Sequence, residues 1–111
     1  MADKPLVWVG SSLERLRAFP PEALRVAGFE LRRVQGGLDP HDWKPLRTVA
    51  PGICEIRIHT DLEHRVVYVA KFLEAVYVLH AFEKRTGRTP RRELSLITER
   101  YAEVLHERLT R

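Results

Sequence analysis

The spacing of apolar residues changes along this chain, and each change marks an expected element. Leu6-Val-Trp-Val9 is a β-rich run closed by Gly10, and Ser11-Ser-Leu-Glu14 behind it fits the Ser-x-x-Glu capping box that opens a helix. That helix stops near Phe19, because Pro20-Pro21 disfavours helical geometry in the residue before it and suits the first turn of a new helix. In the second helix Leu24, Ala27, Leu31 and Val34 recur at spacings of three and four, so one face is core, and Gln35-Gly36-Gly37 ends it.

From Leu38 to Gly52 no period holds, and Pro40, Pro45, Pro51 and Gly52 punctuate the stretch, which reads as a loop of about fifteen residues. Alternation then begins: Cys54, Ile56 and Ile58 point one way while Glu55, Arg57 and His59 point the other. A polar turn at residues 61–64 leads into a second strand from Arg65 to Phe72, so the two form an antiparallel hairpin, and Ala75 to Phe82 supplies a third adjacent strand. After Thr89-Pro90, read as an N-cap and first-turn pair, Leu94, Ile97, Tyr101, Val104 or Leu105, and Leu109 trace one stripe of a last helix. The expected fold class is α+β: a small antiparallel sheet of about four strands packed with two N-terminal helices and one C-terminal helix.

Composition narrows the class further. At 111 residues and 44% apolar content, the chain is expected to form one domain, residues 1–111, around one core. Nineteen Lys and Arg against fifteen Asp and Glu give a net charge of +4, a mild bias toward polyanionic partners. The lone cysteine, Cys54, points to a reducing compartment, and no apolar run approaches the length of a membrane span or a signal h-region, so a cytoplasmic protein without membrane contact is expected.

Several chemistries find no support. The five histidines, at 41, 59, 64, 80 and 106, form no i, i+4 pair or His-x-His, so neither a metal nor another cofactor is expected. Gly36-Gly37 ends a helix and lacks the following Lys-Ser of a phosphate loop, while Ser11 and Ser12 read as helix caps and Cys54 as a strand residue. What remains is cationic. Lys44 and Arg47 precede the hairpin, Arg57, Arg65 and Lys71 lie on it, and Lys84, Arg85 and Arg88 close the third strand, with Tyr68 and His80 nearby. Charges on the polar faces of strands are usually solvated surface, yet neighbouring strands would gather several of these on one side, where they suit a phosphodiester. Register decides, since a symmetric turn over 61–64 pairs Arg57 with Tyr68, whereas one bulge brings Arg57 and Arg65 onto one face.

Lys44-Pro-Leu46, Gly52-Ile-Cys-Glu-Ile-Arg-Ile58, Arg65-Val-Val-Tyr68, Leu79-His-Ala-Phe-Glu-Lys84 and Thr89-Pro90 occur in order across nearly the whole chain. Together they resemble the phage-derived HigB-like toxins of the RelE/ParE superfamily. The resemblance implies a toxin of a type II toxin–antitoxin system: a metal-independent endoribonuclease that cleaves mRNA, commonly on the ribosome, inhibits translation and is silenced by a helix-turn-helix, HigA-like antitoxin. By position it implies phosphate-binding and transition-state roles for Arg57 and Arg65 and a clamp or leaving-group acid at Lys84, with His80 or Tyr68 as candidates for proton transfer. Glu55 departs from the RelE branch, where a lysine is usual. Lys44, Arg47, Lys71, Arg85 and Trp43 are expected RNA contacts, Trp43 by stacking on a base. Trp8 reads as core. The alternatives are a catalytically inactive phage-derived RNA-binding or regulatory module, and a purely structural phage protein.

Overall fold

A computed structural model describes residues 3–111, and in it the expected helices and hairpin stand in the expected order. The elements are β1 (Leu6–Trp8), α1 (Ser12–Arg17), α2 (Pro21–Gln35), β2 (Trp43–Pro45), β3 (Ile53–His59), β4 (Glu63–Val69), β5 (Val76–Glu83) and α3 (Arg91–Leu109).

The sheet departs from the expected four antiparallel strands. It has five, in the order β1-β5-β4-β3-β2, and is mixed, because β1 runs parallel to β5 through Leu6↔Val76 and Trp8↔Val78. The two N-terminal helices carry the chain from β1 to β2 at the opposite edge, and the antiparallel run β2-β3-β4-β5 then brings β5 back beside β1. The extra strand, β2, lies inside the presumed loop, where Trp43-Lys-Pro pairs with the edge of β3 through Trp43↔Ile56 and Pro45↔Cys54. Three residues are too few to display a period, so only the partner edge makes this segment a strand. Its approach is tied to α2, where Glu30 accepts hydrogen bonds from the backbone N–H and the ring of His41, the latter at 2.7 Å.

Apolar runs without alternation in β4 and β5 have a physical cause: both strands are covered on both faces. Instead of one core there are two. On one face α1, α2 and the link between them pack Leu16, Phe19, Ala27 and Leu31 against Ile56, Ile58, Val66 and Val78. On the other, α3 packs Ile97, Tyr101 and Val104 against Val67, Tyr77 and Leu79. The α3 stripe therefore resolves to Val104, leaving Leu105 and Leu109 exposed, and Trp8 packs at the margin of the first core.

The helix starts use other devices than those expected. Ser11 makes no side-chain cap; its Oγ accepts a hydrogen bond from Arg100 of α3 at 2.7 Å instead. Pro90 is itself the N-cap of α3, so Arg91 takes the first helical position. Gly10, at φ +57°, is required where it stands, because a Cβ there would lie 2.6 Å from Arg100 Nε.

Candidate functional site

The hairpin register decides which cations meet. β3 and β4 pair without a bulge through His59↔Glu63, Arg57↔Arg65 and Glu55↔Val67, so the turn is shorter than residues 61–64 and β4 starts at Glu63. Arg57 and Arg65 are thus direct cross-strand neighbours: the pairing contains no bulge, yet they share one face, as the bulged register would have it. That is the α3 face, since Val67 and Phe82, which flank them in register, belong to the α3 core. Lys44 joins this face by pairing opposite Glu55. Lys84 joins it from the end of β5, its N–H donating to the carbonyl of Glu63 at 2.8 Å.

Two adjacent guanidinium groups repel unless a counter-charge lies close. Glu55 supplies it. Its carboxylate is 0% exposed, with Oε1 3.6 Å from Arg65 Nε and 3.7 Å from Lys44 Nζ, and neither oxygen accepts a hydrogen bond. Arg65, 3% exposed, is held further by its Nη1, which donates to Glu63 Oε1 and to the carbonyl of His64, each at 3.0 Å. Arg57 Nε is buried and unpartnered. Lys84 is held below the ordinary lysine range by burial first, then by the charges of Arg65, Lys44 and Arg57 against the opposing pull of Glu55. Four cations and two carboxylates leave a surplus of two positive charges at this spot. A groove of about 450 Å³ opens beside it, lined by Lys44, Leu46, Arg47, Lys84, Arg88 and Leu94.

The remaining expected site residues fall elsewhere. Tyr68 is a correction: three positions from Arg65, it points to the opposite face, where it is buried in the α1–α2 core and burial pushes its phenol up. His80 shares the face of Arg65 but is 0% exposed beneath α3 and does not reach the groove. Its Nε2 lies 3.2 Å from Glu93 Oε1, its Nδ1 accepts from Arg100 at 3.3 Å, and burial holds its pKa down despite Glu93. Through these two contacts it ties β5 to α3. Lys71 lies two residues beyond the end of β4, six from Arg65 and about 20 Å away, and donates to the carbonyl of Pro51. Arg85 projects from the other side of its chain segment and pairs with Glu83 at 2.9 Å. Trp43 points away from Lys44 and is half-buried opposite Ile56. Among the described residues no group of three His, Cys, Asp or Glu side chains is placed to hold a metal ion.

Two features escaped the sequence reading. Glu55, seen there only as a departure from a pattern, is the counter-ion around which the cations assemble. His59 extends the cluster, its Nδ1 2.7 Å from Glu63 and its Nε2 2.6 Å from Asp42. The available signal was the same-face spacing Glu55, Arg57, His59, but the partners arrive from β2 and β4. Hydrogen bonds to Glu63 and then Asp42 raise the His59 pKa, and the same contact to His59 lowers that of Glu63. The His59 contribution to stability is therefore complete below its unfolded value of 6.5 and fades as pH rises through the higher folded value. Glu63 acts oppositely, its contribution fading as pH falls below 4.5 through its lower folded value. Chemical denaturation at a series of pH values is expected to show a decline as pH rises above 6.5 in the wild type that His59→Gln lacks; equal slopes in both proteins would remove His59 from this role.

The model of a family described as phage-derived Gp49-like proteins matches residues 14–102, a span that contains every residue of the cluster. No curated protein matches the chain. Among the described residues, no helix is long and apolar enough to cross a membrane.

Proposed function

The chain belongs to the phage-derived Gp49-like family, a family associated with the toxin-like RelE superfamily, and from this and the Glu55 cluster we propose that it is an endoribonuclease toxin acting on mRNA, on the ribosome. One observation carries the reading: Arg57, Arg65, Lys44 and Lys84 are held on one sheet face around a buried carboxylate, with positive charge to spare for a phosphodiester. Glu55 is buried too deeply to touch RNA and acts as a positioning residue that holds Arg65 and Lys44.

The chemistry needs no resident metal, because RNA carries its own nucleophile. The 2′-oxygen attacks phosphorus in line, losing its proton to water, while the bond to the 5′-oxygen breaks; the products are a 2′,3′-cyclic phosphate and a 5′-hydroxyl. Arg57 stabilises the charge that gathers on the non-bridging oxygens, and Arg65, 3% exposed beside it, adds its field from behind. Lys84, with its pKa held below the ordinary lysine range, donates the proton that the leaving oxygen requires. A helix-turn-helix antitoxin is the partner we propose, its acidic segment covering the Lys44–Lys84 groove by charge complementarity. The inside of a cell is where such a pair would work.

The burial of His80 and Tyr68 favours a second reading, an RNA-binding module without catalysis, since it leaves Lys84 as the proton donor of the cluster. Incubating the purified chain with mRNA, with and without ribosomes, separates the two. A toxin is expected to generate new 5′-hydroxyl ends, and Arg57→Ala to lower that rate about 10²–10³-fold. Intact RNA in both reactions, bound with salt-sensitive affinity, would leave the binding module as the answer.

A further inference from the structure

A second cleft, of about 660 Å³, lies at the same end of β5 but on the opposite side of the sheet from the Glu55 cluster. Glu83 and Arg85 face it, whereas Lys84 between them lines the groove beside the cluster. Its apolar floor is formed by Phe19 and Ala81. Three arginines reach it from separate elements: Arg15 from α1, Arg85 from the segment after β5, and Arg92 from the first turn of α3.

The charges in this cleft are unevenly committed. Glu83 is paired with Arg85 at 2.9 Å, and Glu93 lies 3.2 Å from His80, whose ring burial holds neutral, so three arginines face two carboxylates. Arg15 and Arg92 form no ion pair among the described residues and are exposed. The N-terminus of α3, a 19-residue helix, also opens here without a side-chain cap, because its N-cap is Pro90. His64 is the independent observation. Its ring lines the cleft, is 2% exposed and leans on Phe19 with centroids 4.4 Å apart, and its buried Nδ1 has no hydrogen-bond partner. A buried, unpartnered imidazole is an arrangement that folding alone does not favour. Burial holds it neutral against the pull of Glu83 and Glu63, so one ring nitrogen carries a proton available to an acceptor.

We propose that the cleft around His64, Arg15 and Arg92 is an oxyanion subsite that takes a second phosphate of the RNA strand whose scissile phosphate lies at the Arg57–Arg65 cluster. The subsite rests on the reading of the chain as an RNA enzyme, and a strand passing over residues 84–88 would occupy both sides. The oxyanion could instead be free phosphate, and the experiment separates these sources.

Inorganic phosphate titrated into the folded full chain is expected to shift the His64 imidazole resonance saturably in NMR, and Arg15→Ala/Arg92→Ala is expected to abolish that shift. No saturable shift, or one unchanged in the variant, would overturn the subsite. In RNA cleavage the same variant is expected to raise KM about tenfold or more with kcat unchanged. A phosphate response without any change in KM would overturn the assignment to the RNA strand and leave a free-phosphate site. If the wild type binds phosphate at His64 but neither binds nor cleaves RNA, the endoribonuclease reading fails, and the assignment of the second phosphate to RNA falls with it.

Discussion

Replacing Lys84 with methionine is expected to lower RNA cleavage by about 10²–10⁴-fold, and arginine at that position is expected not to restore it. Methionine keeps the volume of the stem while removing the ammonium, so the half-buried end of β5 stays packed. Arginine keeps the charge but does not release a proton at any working pH. The wild-type single-turnover rate should therefore fall as pH rises through the Lys84 pKa, which burial and the flanking cations hold below the ordinary 10.5. That limb should vanish in Lys84→Met. Wild-type cleavage by Lys84→Arg would reduce Lys84 to a fixed charge and send the search for the acid elsewhere.

The largest stability effect is expected at Arg65. Truncation to alanine leaves Glu55, 0% exposed, without its closest buried cation, and the cost of such an uncompensated charge is about 3–5 kcal/mol. Urea unfolding measures it directly. Adding Glu55→Gln to Arg65→Ala should recover part of the loss, because the orphaned charge is then gone, so the double variant should be more stable than the sum of the two single effects. Strict additivity would mean that Glu55 and Arg65 do not act as a pair at 3.6 Å. The same cycle tests the positioning role of Glu55, since cleavage by Glu55→Gln should fall through a loosened Arg65.

These two expectations fall on residues that differ in how well the sequence exposed them. Arg57, Arg65 and Lys84 were legible as cations near strand ends, and alternation put Glu55 and Arg57 on one side of β3. Their meeting was not legible, because it depends on a turn one residue away from sending Arg65 to the other face. Tyr68 shows the same uncertainty with the opposite outcome. His80 misled for another reason: the irregularity in the β4–β5 pairing, where Val67 meets His80 but Tyr68 meets Val78, puts Leu79 and His80 on the α3 side together. A strand read by strict alternation contains no such step.

The elements themselves were largely a property of the sequence. Two prolines start α2, glycines end it, a period of two marks β3 and a period near 3.6 marks α3, since each is a local preference of the backbone or of one buried face. Tertiary structure alone decided what has no local cause. The strand at Trp43–Pro45 exists because β3 offers an unpaired edge, and β1 lies parallel to β5 because α1 and α2 carry the chain across the sheet. The convergence of Lys44, Glu55, Arg57, Arg65 and Lys84 has the same origin. Four separate segments must dock before their charges interact, and the free energy of that arrangement belongs to the assembled sheet and not to any stretch of the chain.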